Sequence, residues 1–249
     1  RRTRTDIESV PRYNKDVNGF PKVERPIESR YELNEHLADL FEQAMQTLTK
    51  KLTYARYQAI AYLKPEASNG LYDNAELISR SLAGIRKNGL VKRLESSFHA
   101  FQVSIENFKK ANQNMINMFD NDKVFIAPDL DINMLFEYEF SEEEIEEKLN
   151  AKAENNPKNA IFGANDFRPE FIEMLRQDQE ILEKMVTDWK EISDDDDSKF
   201  AKFQELLKHE LFKSERNPEQ KLVVFSESVD TVEYLQRRIN RSDVLVISA

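Results

Sequence analysis

Apolar residues recur at steps of three and four along most of the chain, the spacing that places them on one face of an α-helix. The longest stripe covers about seven turns and predicts one long helix with a buried apolar face. Its members are Leu90, Leu94, Phe98, Phe101, Ile105, Phe108 and Met115. A stripe of this kind is typical of a packed core rather than of a cofactor site.

The same spacing predicts helices before this stripe. One begins at Glu32 and continues to about Leu63, where the following Lys64-Pro65 pair ends it. A second begins after Asn74, whose side chain is a candidate cap, and ends at Gly89, a residue typical of helix ends.

Further helices are predicted in the second half of the chain. Ser141 begins a short acidic helix, because Glu144 completes a capping box with it. Arg168-Pro169 opens a longer helix with an apolar stripe from Ile172 to Ile192. Residues 155–167 are predicted to be a loop, and Ser198 is a candidate cap for a last helix of this region.

The pattern changes after Asn217-Pro218. Leu222–Phe225 and Val244–Ile247 are short continuous apolar runs, typical of buried strands, and Val229–Ile239 between them has helical spacing. Strand, helix and strand in this order predict a right-handed parallel unit. The predicted fold class is therefore mainly α: a multi-helix domain with long helices, followed by a short β-α-β start of an α/β lobe.

Charge is segregated along the chain. The net charge is −10, with 46 acidic and 36 basic residues, so the surface as a whole does not suit nucleic acid. Residues 1–30 and 80–110 are nevertheless basic, whereas 137–147 contains seven glutamates. The basic stretches are either a local phosphate-binding face or ordinary solvated helix surfaces.

Several kinds of chemistry are excluded. Cysteine is absent, which rules out disulfides, thiol nucleophiles and Cys-ligated zinc. No glycine is followed by lysine, so no phosphate-binding loop of the Walker type is present, and no Gly-x-Ser-x-Gly motif occurs. The three histidines are isolated, and the adjacent aspartates 194–197 lack the spacing of a calcium loop. The apolar runs are too short to span a membrane.

Three segments, in order, resemble a known family. Arg1–Ile7 resembles a signature that follows the first motor lobe of Snf-type superfamily-two helicases and translocases, and Phe20–Val23 is similar to the segment after it. Leu90–Phe98 resembles a Lys-Arg-Leu-Glu-Ser-Ser segment of bacterial helicase-like proteins of this group. Lys221–Leu235 is similar to helicase motif IV, the first strand and helix of the second RecA-like lobe.

The resemblance implies a domain order and a function. Residues 1–27 would be the linker after the first lobe, 28–216 a helical insertion between the lobes, and 217–249 the truncated start of the second lobe. The chain would then be a piece of a cytoplasmic, bacterial, ATP-dependent DNA helicase or translocase. Its partners would be DNA and the remaining lobes, without a membrane.

The catalytic parts of that motor lie outside this sequence. A motor of this kind needs a phosphate cradle, Mg²⁺ ligands and an arginine finger together. ATP and Mg²⁺ would therefore bind the longer protein, and this chain would hold no cofactor and no catalytic residue. The helical region would brace DNA or couple the two lobes. The alternative is a helical protein-interaction module without a nucleic-acid role.

The nucleic-acid contacts, if any, are predicted on the basic stretch and around the motif IV segment. Hydroxyls where a strand gives way to a helix suit phosphate, because helix N-termini favour anions. Arg93 has a competing interpretation, an ion pair with a carboxylate on another helix. The candidate residues are Arg80, Arg86, Lys87, Lys92, Arg93, Ser226 and Thr231.

Overall fold

The computed structural model of the chain describes residues 5, 9–11, 25–72, 74–126, 158–226 and 228–247. Residues 1–31 form one unit and residues 32–249 another. Most of the Arg1–Ile7 signature and the predicted capping box at Ser141 lie outside the described residues. The described part is mainly helical, which confirms the mainly-α part of the predicted fold class.

The helices and strands of the second unit are as follows. The helices are α1 (Glu35–Gln46), α2 (Ala59–Tyr62), α3 (Pro65–Ser68), α4 (Ala75–Ser96), α5 (Phe98–Asp120), α6 (Glu170–Lys190), α7 (Ser198–Leu206) and α8 (Val229–Ile239). Strands β1 (Val124–Ile126) and β2 (Ala160–Phe162) pair antiparallel, with Val124 opposite Phe162. A π-helical turn extends α1 over Thr47–Lys51 and α7 over Leu207–Leu211, and a 3₁₀ turn over Ala55–Gln58 precedes α2.

Helices α5 and α6 lie antiparallel and supply both halves of the core. At one end the rings of Phe98 and Phe101 meet Trp189 edge to face, with 4.8 Å between the centroids of Phe101 and Trp189. At the other end Phe119 packs against Phe171, together with the two strands. Between the two apolar clusters, buried Asn112 donates to the carbonyl oxygen of Leu175 at 2.9 Å. The pair α5–α6 therefore connects the two apolar clusters.

The predicted stripe from Leu90 to Met115 is buried throughout, so its assignment to the core is confirmed. The single helix predicted for it is wrong. The chain breaks at Ser97, which has an extended backbone, and the Ser97 hydroxyl accepts the Ala100 amide at the start of α5. Helix α4 in turn passes through Gly89 without ending there, because Leu90 and Leu94 continue its buried face.

The helix predicted from Glu32 to Leu63 is interrupted at residues 52–54. Tyr54 there has a left-handed backbone with a φ of 58°. The buried carboxylate of Asp178 on α6 accepts the Thr53 amide at 2.8 Å and the Ala55 amide at 3.0 Å. It also accepts the Thr53 hydroxyl at 2.9 Å. Asp178 thus caps a turn that is distant in sequence, and no local signal marks this break.

Two predicted caps are wrong, and a predicted loop contains a strand. Asn74 has a left-handed backbone and makes no capping bond, while Asp197 rather than Ser198 caps α7 by accepting the Phe200 amide. The predicted loop at 155–167 includes β2, because β1 supplies a partner for its backbone.

Of the predicted β-α-β unit, only the helix is present among the described residues. Val229–Ile239 is helical, but Leu222–Phe225 and Val244–Ile247 form no strand and are largely exposed, with Phe225 at 91% and Ile247 at 83%. A buried parallel strand needs strands beside it and helices over both faces of its sheet. The described residues supply neither to these two segments. No helix among the described residues is long and apolar enough to cross a membrane.

We expect Leu94→Ala to lower the free energy of unfolding by about 2–5 kcal/mol, because it leaves a cavity beneath α4. Leu245→Ala is the matched control, since Leu245 is 82% exposed, and should change stability by no more than about 0.5 kcal/mol. Urea denaturation measures both. Equal midpoints for the two variants would show that the stripe is not core.

We expect Asp178→Ala to cost about 2–5 kcal/mol, because the buried Ala55 amide and the partly buried Thr53 amide lose their acceptor. Asp188→Ala on the same helix is the control. Asp188 forms an exposed pair with Lys184 at 2.6 Å, and such pairs contribute little. A similar small loss in both variants would contradict the capping role of Asp178.

Asp178 also predicts a pH dependence. Burial raises its pKa above the ordinary value, despite the hydrogen bonds that oppose the shift. Its contribution to stability is therefore complete below the pKa of the unfolded chain, about 4, and declines as the pH rises towards the raised value. The stability difference between wild type and Asp178→Ala should be larger at pH about 4 than at pH about 7. A difference that grows with pH would contradict this.

Candidate functional site

A groove of about 610 Å³ lies where the end of α4, the start of α7 and the start of α8 meet the extended segment that precedes α8. Apolar side chains, hydroxyls and cations all contribute to its lining. Its polar lining includes Lys92, Arg93, Ser96, Ser97, Asp197, Lys199, Ser226, Ser228, Thr231 and Tyr234.

Arg93, on the last turn of α4, is the main polar contact between α4 and α8. Its guanidinium lies 2.5 Å from the carboxylate of Asp230 and also donates to the Ser228 hydroxyl. Both charged side chains are about one-third exposed, so water screens the pair only in part. Arg93 therefore ties α4 to the first turn of α8.

Hydroxyl groups join the same two elements. The Thr231 hydroxyl lies 3.1 Å from that of Ser96 and 3.3 Å from that of Ser97. Ser97 caps α5, and Ser228 caps α8 by accepting the Thr231 amide at 3.3 Å. The corner between α4 and α5, residues 93–97, thus contacts the start of α8 through an ion pair and a small hydroxyl network. We call this arrangement the α4–α8 junction.

A second set of contacts joins α7 to the junction. The hydroxyl of buried Tyr234 donates to Asp197 at 3.0 Å, and burial next to this carboxylate raises the pKa of Tyr234. Lys199 donates to the carbonyl oxygens of Glu95 and Ser96 at 2.8 and 2.9 Å, at the C-terminal end of α4. Burial lowers the pKa of Lys199.

The acidic run 194–197 is engaged by protein groups. Asp194 pairs with Arg237 at 2.9 Å and Asp195 with Arg238 at 3.0 Å, both on α8. Asp196 accepts the hydroxyl of Ser193. Within the described ranges, no cluster of three or more His, Asp or Glu side chains could hold a metal ion.

Four of the seven predicted site residues line the groove: Lys92, Arg93, Ser226 and Thr231. Arg93 and Thr231 are engaged within the junction, which favours the bracing interpretation of Arg93. The Ser226 hydroxyl accepts the Ser228 amide at 3.1 Å. Lys92 is exposed.

The other three predicted residues lie further along α4 and do not join the groove. Arg80 pairs with Glu76 on the surface at 3.3 Å. Arg86 is half-buried, lies over the ring of Phe108 and donates to the Ser104 carbonyl oxygen. Lys87 donates to the Thr49 carbonyl oxygen at 2.7 Å. The basic stretch is thus largely directed towards the protein itself.

Sequence reasoning missed Asp230, Asp197, Lys199 and Tyr234. Asp230 and Asp197 stand at or beside helix starts, and that position could have marked them as capping or pairing carboxylates. Nothing local links Lys199 or Tyr234 to residues on other helices. Their partners become evident only once α4, α7 and α8 are packed.

The polar groups of the groove bond mainly to one another and to the ends of helices. Its serine and threonine hydroxyls bond to backbone amides or to each other, the Tyr234 hydroxyl bonds to Asp197, and the His99 ring stacks on that of Tyr234 at 5.3 Å. A nucleophile aligned with a base is not found among its described side chains. Comparison of the chain with protein-family models, with curated proteins and with solved structures finds no match.

We expect a double-mutant cycle of Arg93→Ala and Asp230→Ala to give a coupling energy of about 1–2 kcal/mol, because the pair is charged and partly shielded. The matched control is the cycle of Arg80→Ala and Glu76→Ala. Both of its side chains are about three-quarters exposed, and it should give at most about 0.5 kcal/mol. Equal coupling energies in the two cycles would contradict the claim that Arg93 and Asp230 hold α4 to α8.

Proposed function

We propose that this chain is the helical region between the two motor lobes of an ATP-dependent DNA helicase or translocase. In this proposal the α4–α8 junction couples the helical region to the first helix of the second lobe. The observation that carries it is the contact between two segments of the family resemblance. Leu90–Phe98 supplies Arg93, Ser96 and Ser97, and Lys221–Leu235 supplies Ser228, Asp230 and Thr231.

Coupling needs a contact at the moving part and a rigid element behind it. The junction is such a contact, since it binds the first turn of α8. Directly behind it, α5 begins at Phe98 and continues to Asp120 in a packed core. A rotation of the lobe that contains α8 would therefore be transmitted along α5 to the hairpin of β1 and β2. ATP and Mg²⁺ would act at the lobes and not in the helical region.

The charges of α4 support coupling more than they support a grip on DNA. Arg86, Lys87 and Arg93 donate hydrogen bonds to protein groups, and Arg80 has an acidic neighbour. Exposed Lys92 and Arg80 are the residues of the predicted set on α4 best placed to meet a phosphate. Neutralising both would remove about two phosphate contacts from the salt dependence of DNA binding.

A second candidate function is a helical protein-interaction module without a nucleic-acid role. One observation favours it. The first half of α4 exposes Leu77, Ile78, Leu82 and Ile85, an apolar face that could contact another polypeptide. DNA-dependent activity in the longer protein separates the two candidates.

The chain by itself should not hydrolyse ATP, because its sequence contains no Gly-Lys pair for a phosphate cradle. The measurement is phosphate release with Mg²⁺-ATP, with and without DNA, during successive purification steps. Turnover that stays constant per mole of chain through those steps would contradict the proposed motor organisation.

The coupling role predicts a rescue by charge exchange in the full-length protein. Arg93→Asp and Asp230→Arg should each uncouple DNA-dependent ATP hydrolysis from translocation, with translocation falling about tenfold, because like charges then meet at the junction. The combination of the two should restore much of the loss. The same exchange at Arg80 and Glu76 is the control and should leave translocation unchanged.

Coupling through this contact would be contradicted if both single variants translocate at the wild-type rate. It would also be contradicted if the exchanged pair is folded but recovers no translocation. Absence of DNA-dependent ATP hydrolysis in the wild-type full-length protein would overturn the motor assignment itself and leave the interaction module.

A further inference from the structure

Asparagine is followed by glycine at three places in the chain, and this dipeptide has a chemistry of its own. The backbone nitrogen of the glycine can attack the carboxamide carbon of the asparagine, because glycine has no side chain to obstruct the approach. The pairs are Asn18-Gly19, Asn69-Gly70 and Asn88-Gly89. The first lies outside the described residues. The other two have the same reacting groups, so their surroundings in the fold decide how they differ.

The pair Asn69-Gly70 lies in the loop between α3 and α4. Both residues are exposed and both have a left-handed backbone, with φ of 45° and 72°. No hydrogen bond among the described residues involves the Asn69 carboxamide or the Gly70 amide. A Cβ atom placed on Gly70 would meet no atom within 4 Å. The attacking nitrogen and the carbon that it would attack are therefore both accessible.

The pair Asn88-Gly89 lies within α4, where both residues are helical. In an α-helix the N–H of each residue bonds to the carbonyl oxygen four residues earlier, so the Gly89 amide is engaged in the ladder. Leu90, the next residue, is fully buried. Attack by the Gly89 nitrogen would require this part of α4 to open and lift Leu90 from the core.

Ring closure at Asn69 has a lower structural cost. The Gly70 nitrogen must rotate towards the Asn69 side chain, away from the Asn69 ψ of 31°. Two local bonds oppose this rotation: the Asn69 amide donates to the Pro65 carbonyl oxygen at 3.2 Å, and the Leu71 amide donates to that of Ser68 at 2.8 Å. An exposed turn held by local bonds opens more readily than a helix packed on the core.

We propose that Asn69 is a site of spontaneous deamidation in the folded chain, with water as the co-reactant. The inference is independent of the proposed function, because only this chain and water take part. The Gly70 backbone nitrogen loses its proton and forms a bond to Cγ of Asn69. The Cγ–Nδ2 bond breaks, the nitrogen leaves as ammonia, and a cyclic imide remains.

Water then opens the imide at either of its two carbonyl carbons. Attack at Cγ breaks the bond from Cγ to the Gly70 nitrogen and gives aspartate at position 69. Attack at the backbone carbonyl carbon breaks the bond from that carbon to the same nitrogen and gives isoaspartate, in which the main chain passes through the side chain. Both products replace a neutral carboxamide by a carboxylate, and neither step involves an oxidant or a reductant.

The test uses the wild-type chain, incubated at mildly alkaline pH in native buffer and, in parallel, in urea. Trypsin then releases residues 57–80 with Asn69 and residues 88–92 with Asn88, since Lys64 precedes proline and is not cleaved. Mass spectrometry follows the conversion of asparagine to aspartate or isoaspartate in each fragment. In native buffer Asn69 should convert at least about tenfold faster than Asn88, because Asn88 must wait for α4 to open. In urea the two rates should become similar.

Equal rates at Asn69 and Asn88 in native buffer would overturn the proposal. Conversion of Asn69 in urea but not in native buffer would also overturn it, since the turn would then protect the pair. Asn69→Gln is the control for the assignment, because glutamine keeps the carboxamide but must close a larger ring. Native-state conversion in fragment 57–80 should disappear in this variant. If conversion persists there, it belongs to Asn74 in the same fragment, and Asn69 is not the site.

Discussion

The antiparallel packing of α5 on α6 is the interaction on which the rest of the structure depends. The two helices join both apolar clusters, one around Phe101 and Trp189 and the other around Phe119 and Phe171. Within residues 32–249, other elements are placed against this pair: α4 lies along α5, the hairpin of β1 and β2 closes one end, and Asp178 on α6 shapes the turn after α1. Loss of the pair would therefore remove the supports of the groove as well as the core.

The groove lies at the end of α5 where the chain enters from α4. The break at Ser97 turns the chain from α4 into α5 and places Arg93, Ser96 and Ser97 together at one corner, which holds the first turn of α8. Polar contacts at such a corner can be made and broken at lower cost than a packed core, because each ion pair or hydroxyl contact contributes about 1 kcal/mol. This difference between a rigid body and a weaker junction is the physical reason for proposing a coupling role.

Periodicity in the sequence was sufficient for the buried stripe from Leu90 to Met115 and for the helix Val229–Ile239, because both depend on local spacing. Periodicity failed where a residue distant in sequence determines whether a helix continues or ends. The interruption at Tyr54 depends on Asp178, and the continuation of α4 through Gly89 depends on burial of Leu90. The two apolar runs beside α8 have strand composition, but a strand also needs neighbours. The groove was half predicted: Lys92, Arg93, Ser226 and Thr231 were named, whereas Lys199, Tyr234 and the carboxylates of Asp197 and Asp230 were not.

The most direct test of the junction is amide hydrogen exchange along α8 in the purified chain. Arg93→Ala should accelerate exchange at the amides of Thr231–Tyr234 by about tenfold, because Asp230 loses its ion pair and the Ser228 cap loses the hydrogen bond that Arg93 donates. Arg80→Ala is the control. Arg80 lies on the same helix as Arg93 but pairs with Glu76, so its loss should leave the exchange rates of those amides unchanged. Exchange along α8 that is the same in wild type and Arg93→Ala would contradict the account.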